Sequence, residues 1–196
     1  MQLYQDRRKS TRAMVTTGLF SMIAYLIMFL EFNLPFMPYF LKLDLSDVPA
    51  LIVGFTYGPT LGIAVVLIKN LLQLLSTATF GIGELANFLI GSSFTGVASF
   101  CYFSRGYSHY FALAAGTVSM TFFAVLVNLG VVIPLYELVL DLPLYQIIAL
   151  AGEVNPLVDG LFGYIVFVLV PFNLLKGTIL SLMMNLVYHR IYPMIS

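Results

Sequence analysis

A few polar side chains in an otherwise apolar chain have the types and spacing of a binding pocket. Glu84 with Asn87, and Asn173 with Lys176, are i,i+3 pairs, so each pair projects from one face of a helix. Asn128 adds a further amide. Together they offer an anion, a cation and amides that both donate and accept, an inventory suited to a flat heteroaromatic guest rather than a simple ion. Catalysis lacks comparable support. The sequence has no HExxH, no intramembrane Ser/His/Asp arrangement and no Walker-type glycine loop. One cysteine, Cys101, and two histidines give no zinc-ligand spacing.

The elements that must position these groups are membrane helices. The chain has 196 residues, 60% of them hydrophobic and 9% charged, with a mean hydropathy of +0.97. An ordinary soluble domain carries roughly 25% charged residues. Nine Lys+Arg balance nine Asp+Glu, so no net field recruits nucleic acid. At about 20 apolar residues per span the chain holds about six spans. The expectation is an all-α integral membrane protein, a single transmembrane domain over 1–196 behind a basic segment 1–12.

Arg7, Arg8, Lys9 and Arg12 precede an apolar run from Ala13 to Leu30, read as a retained first helix with its N-terminus in the cytoplasm. Between Asn33 and Asp44, two prolines and alternating aromatics deny a continuous helix, so this segment is expected to fold back onto the protein. Ser46 or Asp47 then caps a short helix ending at Tyr57, too short to cross ~30 Å of hydrocarbon without tilt or thinning. Further helices are expected from Pro59 to Ser76, Glu84 to Phe103, Tyr110 to Pro134 and Pro171 to Tyr188. The stretch from Pro156 to Val170 reads as an external or half-buried helix before the last span, because counting it as a crossing would put Arg190 outside. Six crossings result, with both termini and the Arg105 loop cytoplasmic and Asp44, Asp47, Glu137, Asp141 and Glu153 outside.

With those directions, Glu84, Asn128, Asn173 and Lys176 each lie within ~10 Å of an outer helix end. Ionisable groups inside a membrane cost roughly 2.5–3.5 kcal/mol on the insertion scale and are functional candidates by default. Structural readings compete. Lys69 or Lys176 would snorkel to an interface, Asn128 would hydrogen-bond between helices, and Lys42 and Asp44 would be solvated loop charges. Separately, Ala13, Thr17 and Ser21 recur every fourth residue on the first helix. Such a small-residue stripe suits either a docking partner or the chain's own helices.

Four segments carry a resemblance: Phe36 to Pro59, Leu67 to Leu72, Gly83 to Gly91 and Pro171 to Gly177. In order and residue type they are similar to the riboflavin-binding S components of energy-coupling factor (ECF) transporters of Gram-positive bacteria. The resemblance implies six helices and high-affinity capture of riboflavin from outside, beneath the loop joining the first two helices. It places Glu84, Asn128, Asn173 and Lys176 around the ligand. Leu41, Lys42 and Asp44 fall in the loop that reads the ribityl hydroxyls. Riboflavin is then transported ligand rather than cofactor. The implied partners are a transmembrane coupling protein and two cytoplasmic ATPases, the S component tilting to release its vitamin inward. The family's Ala-xxx-Ala docking contact corresponds here to Thr17-xxx-Ser21. The pocket inventory alone also suits thiamin, pantothenate or a queuosine precursor, and a membrane enzyme subunit stands as a reading from another class.

Overall fold

The computed structural model describes residues 2–38, 40–77 and 79–195. Tyr39, and the side chains of Arg7, Arg8, Lys9 and His189, lie outside the described residues. Helix α1 spans Gln2–Met28 and is followed by a small antiparallel hairpin, β1 Phe32–Asn33 and β2 Lys42–Leu43, pairing Phe32 with Leu43 and Asn33 with Lys42. Met37, Phe40 and Leu41 of the hairpin pack on apolar side chains at one end of the helices, so the segment does fold back.

Helix α2, Asp47–Tyr57, is only 11 residues long, yet every residue from Asp47 to Phe55 is buried. It packs against α1, α3 (Pro59–Gln73), α4 (Ile82–Ser99) and α9 (Val170–Ile195). A helix apolar on all sides belongs in an interior. Two glycines let its neighbours close in: a Cβ on Gly54 would lie 2.1 Å from Ser99 Oγ, and one on Gly62 would lie 2.9 Å from the Gly54 Cα. Ser46 occupies the cap position without capping, because its hydroxyl is spent on Asp44.

Among the described residues, five helical stretches are long and apolar enough to cross a membrane: Ser10–Met28, Pro59–Ser76, Ile82–Ser104, His109–Leu140 and Leu161–Tyr188. The last two differ from the sequence expectation. Helix α5 (His109–Val127) continues through a π turn at Asn128–Val132 into α6 (Ile133–Leu140), past Pro134. The short α8 (Leu161–Tyr164) continues through a π turn at Ile165–Leu169 into α9, past Pro171. Each proline follows a π turn by two residues. The wider turn lifts the preceding carbonyls away from the proline ring, and the missing N–H falls where the hydrogen-bond ladder is already shifted, so the helix goes on. The stretch from Pro156 to Val170 is therefore no separate external helix: most of it opens the 28-residue final rod. The extra helix before that rod is α7, Leu144–Val154, which buries Ile147 and Ala151 against the same end of the bundle as the hairpin.

Candidate functional site

Helices α1 and α3 end, α4 and α9 begin, and α5 passes into its π turn at the end of the bundle that the hairpin and α7 cover. Between them lies a cavity of about 460 Å³. That is within the ~300–1,000 Å³ range of small-molecule sites. Glu84, Asn87, Asn128, Asn173 and Lys176 all line it, as do Leu41, Lys42 and Asp44 from the hairpin. The structure thus brings together every pocket residue named from the sequence. Phe40, Tyr136, Tyr164 and Phe172 supply aromatic surface to the same walls.

The polar groups are held by short, local bonds. Glu84, in the first turn of α4, takes its place where a carboxylate complements the helix N-terminus. Its Oε2 accepts from Thr77 Oγ1 at 3.0 Å and Thr79 Oγ1 at 3.2 Å. Asn128 and Asn173 each donate from Nδ2 to the carbonyl four residues back, Ala124 O at 2.8 Å and Leu169 O at 2.9 Å. Each amide keeps a carbonyl oxygen and a second N–H for a guest. Asn128 opens the π turn at Asn128–Val132, and Asn173 lies in the first turns of α9, bonded back to the last carbonyl of the π turn at Ile165–Leu169.

Lys176 and Asp44 face each other across the cavity wall. Lys176 Nζ donates to Asp44 Oδ2 at 2.9 Å, and both residues are 6% exposed. Asp44 Oδ1 accepts from the Ser46 N–H at 2.9 Å and from the Ser46 hydroxyl. Behind them, Lys69 Nζ donates to Ser46 Oγ and to Asp47 Oδ1, each at 2.5 Å. A continuous polar chain therefore runs from Lys69 on α3 through Ser46 and Asp44 to Lys176 on α9. Burial pushes the Asp44 carboxyl up, but the Lys176 and Lys69 ammoniums and the Ser46 hydroxyl outweigh it and hold it well below the usual carboxylate range.

These contacts correct several readings. Asp44 is not a solvated loop charge, whereas Lys42 is half-exposed and pairs with Glu31. Neither Lys69 nor Lys176 snorkels, since both are buried and paired. The first-helix stripe is not an open face: Thr17 and Ser21 are buried inside the bundle, where α1 packs on α2 and α3, and their hydroxyls bond back to Ala13 O and Thr17 O. Sequence reasoning missed Gln73, whose Oε1 is buried with no partner among the described residues and whose side chain lines the cavity. It also missed Tyr164, set in the stretch read as external. An unmatched amide at the end of an apolar helix was the available signal for the first, and nothing in the sequence signalled the second.

The family model for the substrate-specific component of ECF transporters matches residues 12–188. The riboflavin transporter RibU of Staphylococcus aureus is 34% identical over 185 residues, covering 93% of this chain and 92% of that one. The riboflavin transporter FmnP of Bacillus subtilis is 33% identical over 189 residues, covering 94% of each. A solved S component of a bacterial ECF transporter superposes with a TM-score of 0.74 at 32% identity, covering 94% of this chain and 98% of its own. With family model, sequence relatives and fold in agreement, the chain belongs to the substrate-specific components of ECF transporters.

Proposed function

We propose that this chain captures riboflavin and serves as the vitamin-specific subunit of an ATP-driven ECF transporter in the bacterial cytoplasmic membrane. The observation that carries the reading is the convergence of Asn128, Asn173, Lys176 and Glu84 on one cavity walled by Tyr and Phe. The isoalloxazine ring presents an imide N–H between two carbonyls. The Asn carbonyls accept from that N–H, while Lys176 and the Asn N–H groups donate to the oxygens. The aromatic walls take the ring faces. The ribityl hydroxyls lie against the Leu41 to Ser46 segment. Partial burial makes each unmatched edge group costly, which favours the guest that pairs them all.

The hairpin and α7 form the outer cover, with both termini in the cytoplasm and α2 completing a set of six spans in one transmembrane domain. Riboflavin is cargo, so the chain works without a resident cofactor and without chemistry of its own. Turnover depends on a transmembrane coupling protein and two cytoplasmic ATPases. The similarity to proteins named as riboflavin transporters supports the choice of vitamin. Purification in detergent tests it: co-purified flavin is expected to colour the protein yellow, and removal of the flavin followed by thiamin or pantothenate is expected to leave the site empty. Preferential retention of either of those vitamins would overturn the reading.

A further inference from the structure

The turn between α3 and α4 has features that the vitamin site does not use. Thr79 to Ile82 closes as a β-turn, the Ile82 N–H donating to Thr79 O at 3.1 Å. Both central residues stand at positive φ, Phe80 at 54° and Gly81 at 88°. Turns of that class take Asn-Gly or Asp-Gly, because a bulky side chain is strained in the left-handed region. Phe80 nevertheless occupies the first central position, and its side chain is 77% exposed. Backbone strain and a bare aromatic ring are both unfavourable, and packing inside the fold offsets neither. Strain kept in this way marks a side chain that the turn must present outward.

The surroundings of the ring say to what. Leu71, Leu74 and Leu75, at and just beyond the end of α3, and Leu85 in the first turn of α4 are exposed apolar side chains. A Cβ on Gly81 would lie 3.1 Å from Leu74 Cδ2, so the turn rests on the end of that span. The patch thus continues the exposed apolar side of Pro59–Ser76, a stretch long and apolar enough to cross a membrane. Between Asp47 and Arg105 the charged residues are Lys69 and Glu84, and both are buried. The turn therefore shows no charge to its surroundings. The segment from α6 to α8, at the same end of the bundle, exposes four carboxylates, Glu137, Asp141, Glu153 and Asp159. Nor do the polar groups of the turn call for water. The Thr79 and Gly81 N–H groups donate to Thr77 Oγ1 at 3.2 and 3.0 Å, and the Gly83 N–H donates to Thr79 Oγ1 at 3.0 Å. Both threonine hydroxyls donate inward to Glu84. Irregular backbone enters a lipid environment only when its polar groups are satisfied in this way.

We propose that the α3–α4 turn is a wedge seated in lipid at the boundary between headgroups and acyl chains, with Phe80 at its tip and Leu75 and Leu85 beside it. The α3–α4 side of the bundle then sits deeper in the membrane than the acidic α6–α8 side. Aromatic side chains at the interface set the depth and tilt of the spans they belong to. The chain has no Trp, so this duty falls to its Phe and Tyr residues. The inference requires the spans to lie in a bilayer and is independent of which vitamin the cavity takes.

The lack of Trp also makes the test direct. Phe80→Trp, Leu75→Trp and Leu157→Trp each introduce a single indole, the last in the loop between Glu153 and Asp159. Each flavin-free, full-length variant is reconstituted at one chain per nanodisc of phosphatidylcholine and phosphatidylglycerol. At positions 75 and 80 the indole emission is expected to be blue-shifted and insensitive to iodide. It is expected to fall by about half or more when the lipids carry bromine near the top of the acyl chain, the depth of roughly 5–10 Å at which interfacial apolar groups lie. At position 157 the emission is expected to be red-shifted, quenched by iodide and unaffected by bromine. Position 75 decides the matter where Phe80→Trp does not fold, because Leu75 stands at negative φ. Iodide-accessible, bromine-insensitive emission at the deciding position would overturn the wedge. Shielding from iodide without quenching by bromine would also overturn it, since protein rather than lipid would then cover the turn. Equal bromine quenching at positions 80 and 157 would overturn the difference in depth.

Discussion

Lys176 Nζ and Asp44 Oδ2 meet at 2.9 Å although 132 residues separate them in the chain. The bond fastens the loop after the hairpin to the last long helix at the cavity wall and holds the Lys176 ammonium on the cavity lining. Removing Lys176 has two separable effects. Lys176→Met is expected to weaken riboflavin binding by about 1–3 kcal/mol through the lost donor. It is also expected to lower the thermal midpoint, because Asp44 is left buried and unpaired. The double variant Asp44→Asn/Lys176→Met is expected to recover the midpoint but not the affinity. Recovery of both would mean that Lys176 holds the loop without touching the vitamin.

Lys69 never reaches the cavity. It is fully buried on Asp47 and Ser46, and acts on Lys176 through Ser46 and Asp44. Breaking a buried pair by removing one partner costs about 3–5 kcal/mol, whereas replacing both with apolar groups is often neutral. Lys69→Met is expected to destabilise the protein by that amount and Lys69→Met/Asp47→Leu by much less, as measured by denaturation in detergent. Equal loss in both variants would show that the pair contributes packing rather than charge balance.

Much of this arrangement was legible from residue type and spacing. The i,i+3 pairs, the apolar lengths and the proline-rich aromatic segment placed Glu84, Asn128, Asn173 and Lys176 at one depth, and the structure puts them on one cavity. Two kinds of information were hidden. Pro134 and Pro171 read as helix boundaries because a proline normally interrupts the ladder, and only the π turns before them let the rods continue. The partners of Asp44 and Asp47 were hidden because ion pairs across 132 and 22 residues leave no local pattern. A carboxylate beside Ser46 reads equally well as a helix cap. The stripe of Ala13, Thr17 and Ser21 marked close packing correctly while leaving open which helices approach it.

Substitution of that stripe now has a structural outcome. Ser21 is fully buried, so Ser21→Leu overfills the contact of α1 with its neighbours and is expected to destabilise the fold by about 1–3 kcal/mol. The measurement is the thermal midpoint of the isolated subunit, with no coupling protein present. An unchanged midpoint accompanied by lost uptake would instead make the stripe a docking face.

The depressed Asp44 carboxyl sets a pH dependence of known sign. A carboxyl held lower in the folded state than its ordinary value near ~3.9 contributes stability that is complete above that value and declines as pH falls below it. Between about pH 5 and pH 8 this pair therefore adds no slope to the stability curve. Asp44→Asn is expected to lower the midpoint across that window and to flatten the acid limb below it. A wild-type loss already complete at pH 5 and absent from Asp44→Asn would contradict the pairing.

Titration of flavin-free protein in detergent with riboflavin tests the binding cavity most directly. Saturable quenching of flavin fluorescence at one vitamin per chain is expected, with the curve for Asp44→Asn/Lys176→Met shifted about tenfold or more to weaker binding at unchanged stoichiometry. A linear, unsaturable signal, or identical curves for wild type and the double variant, would contradict it.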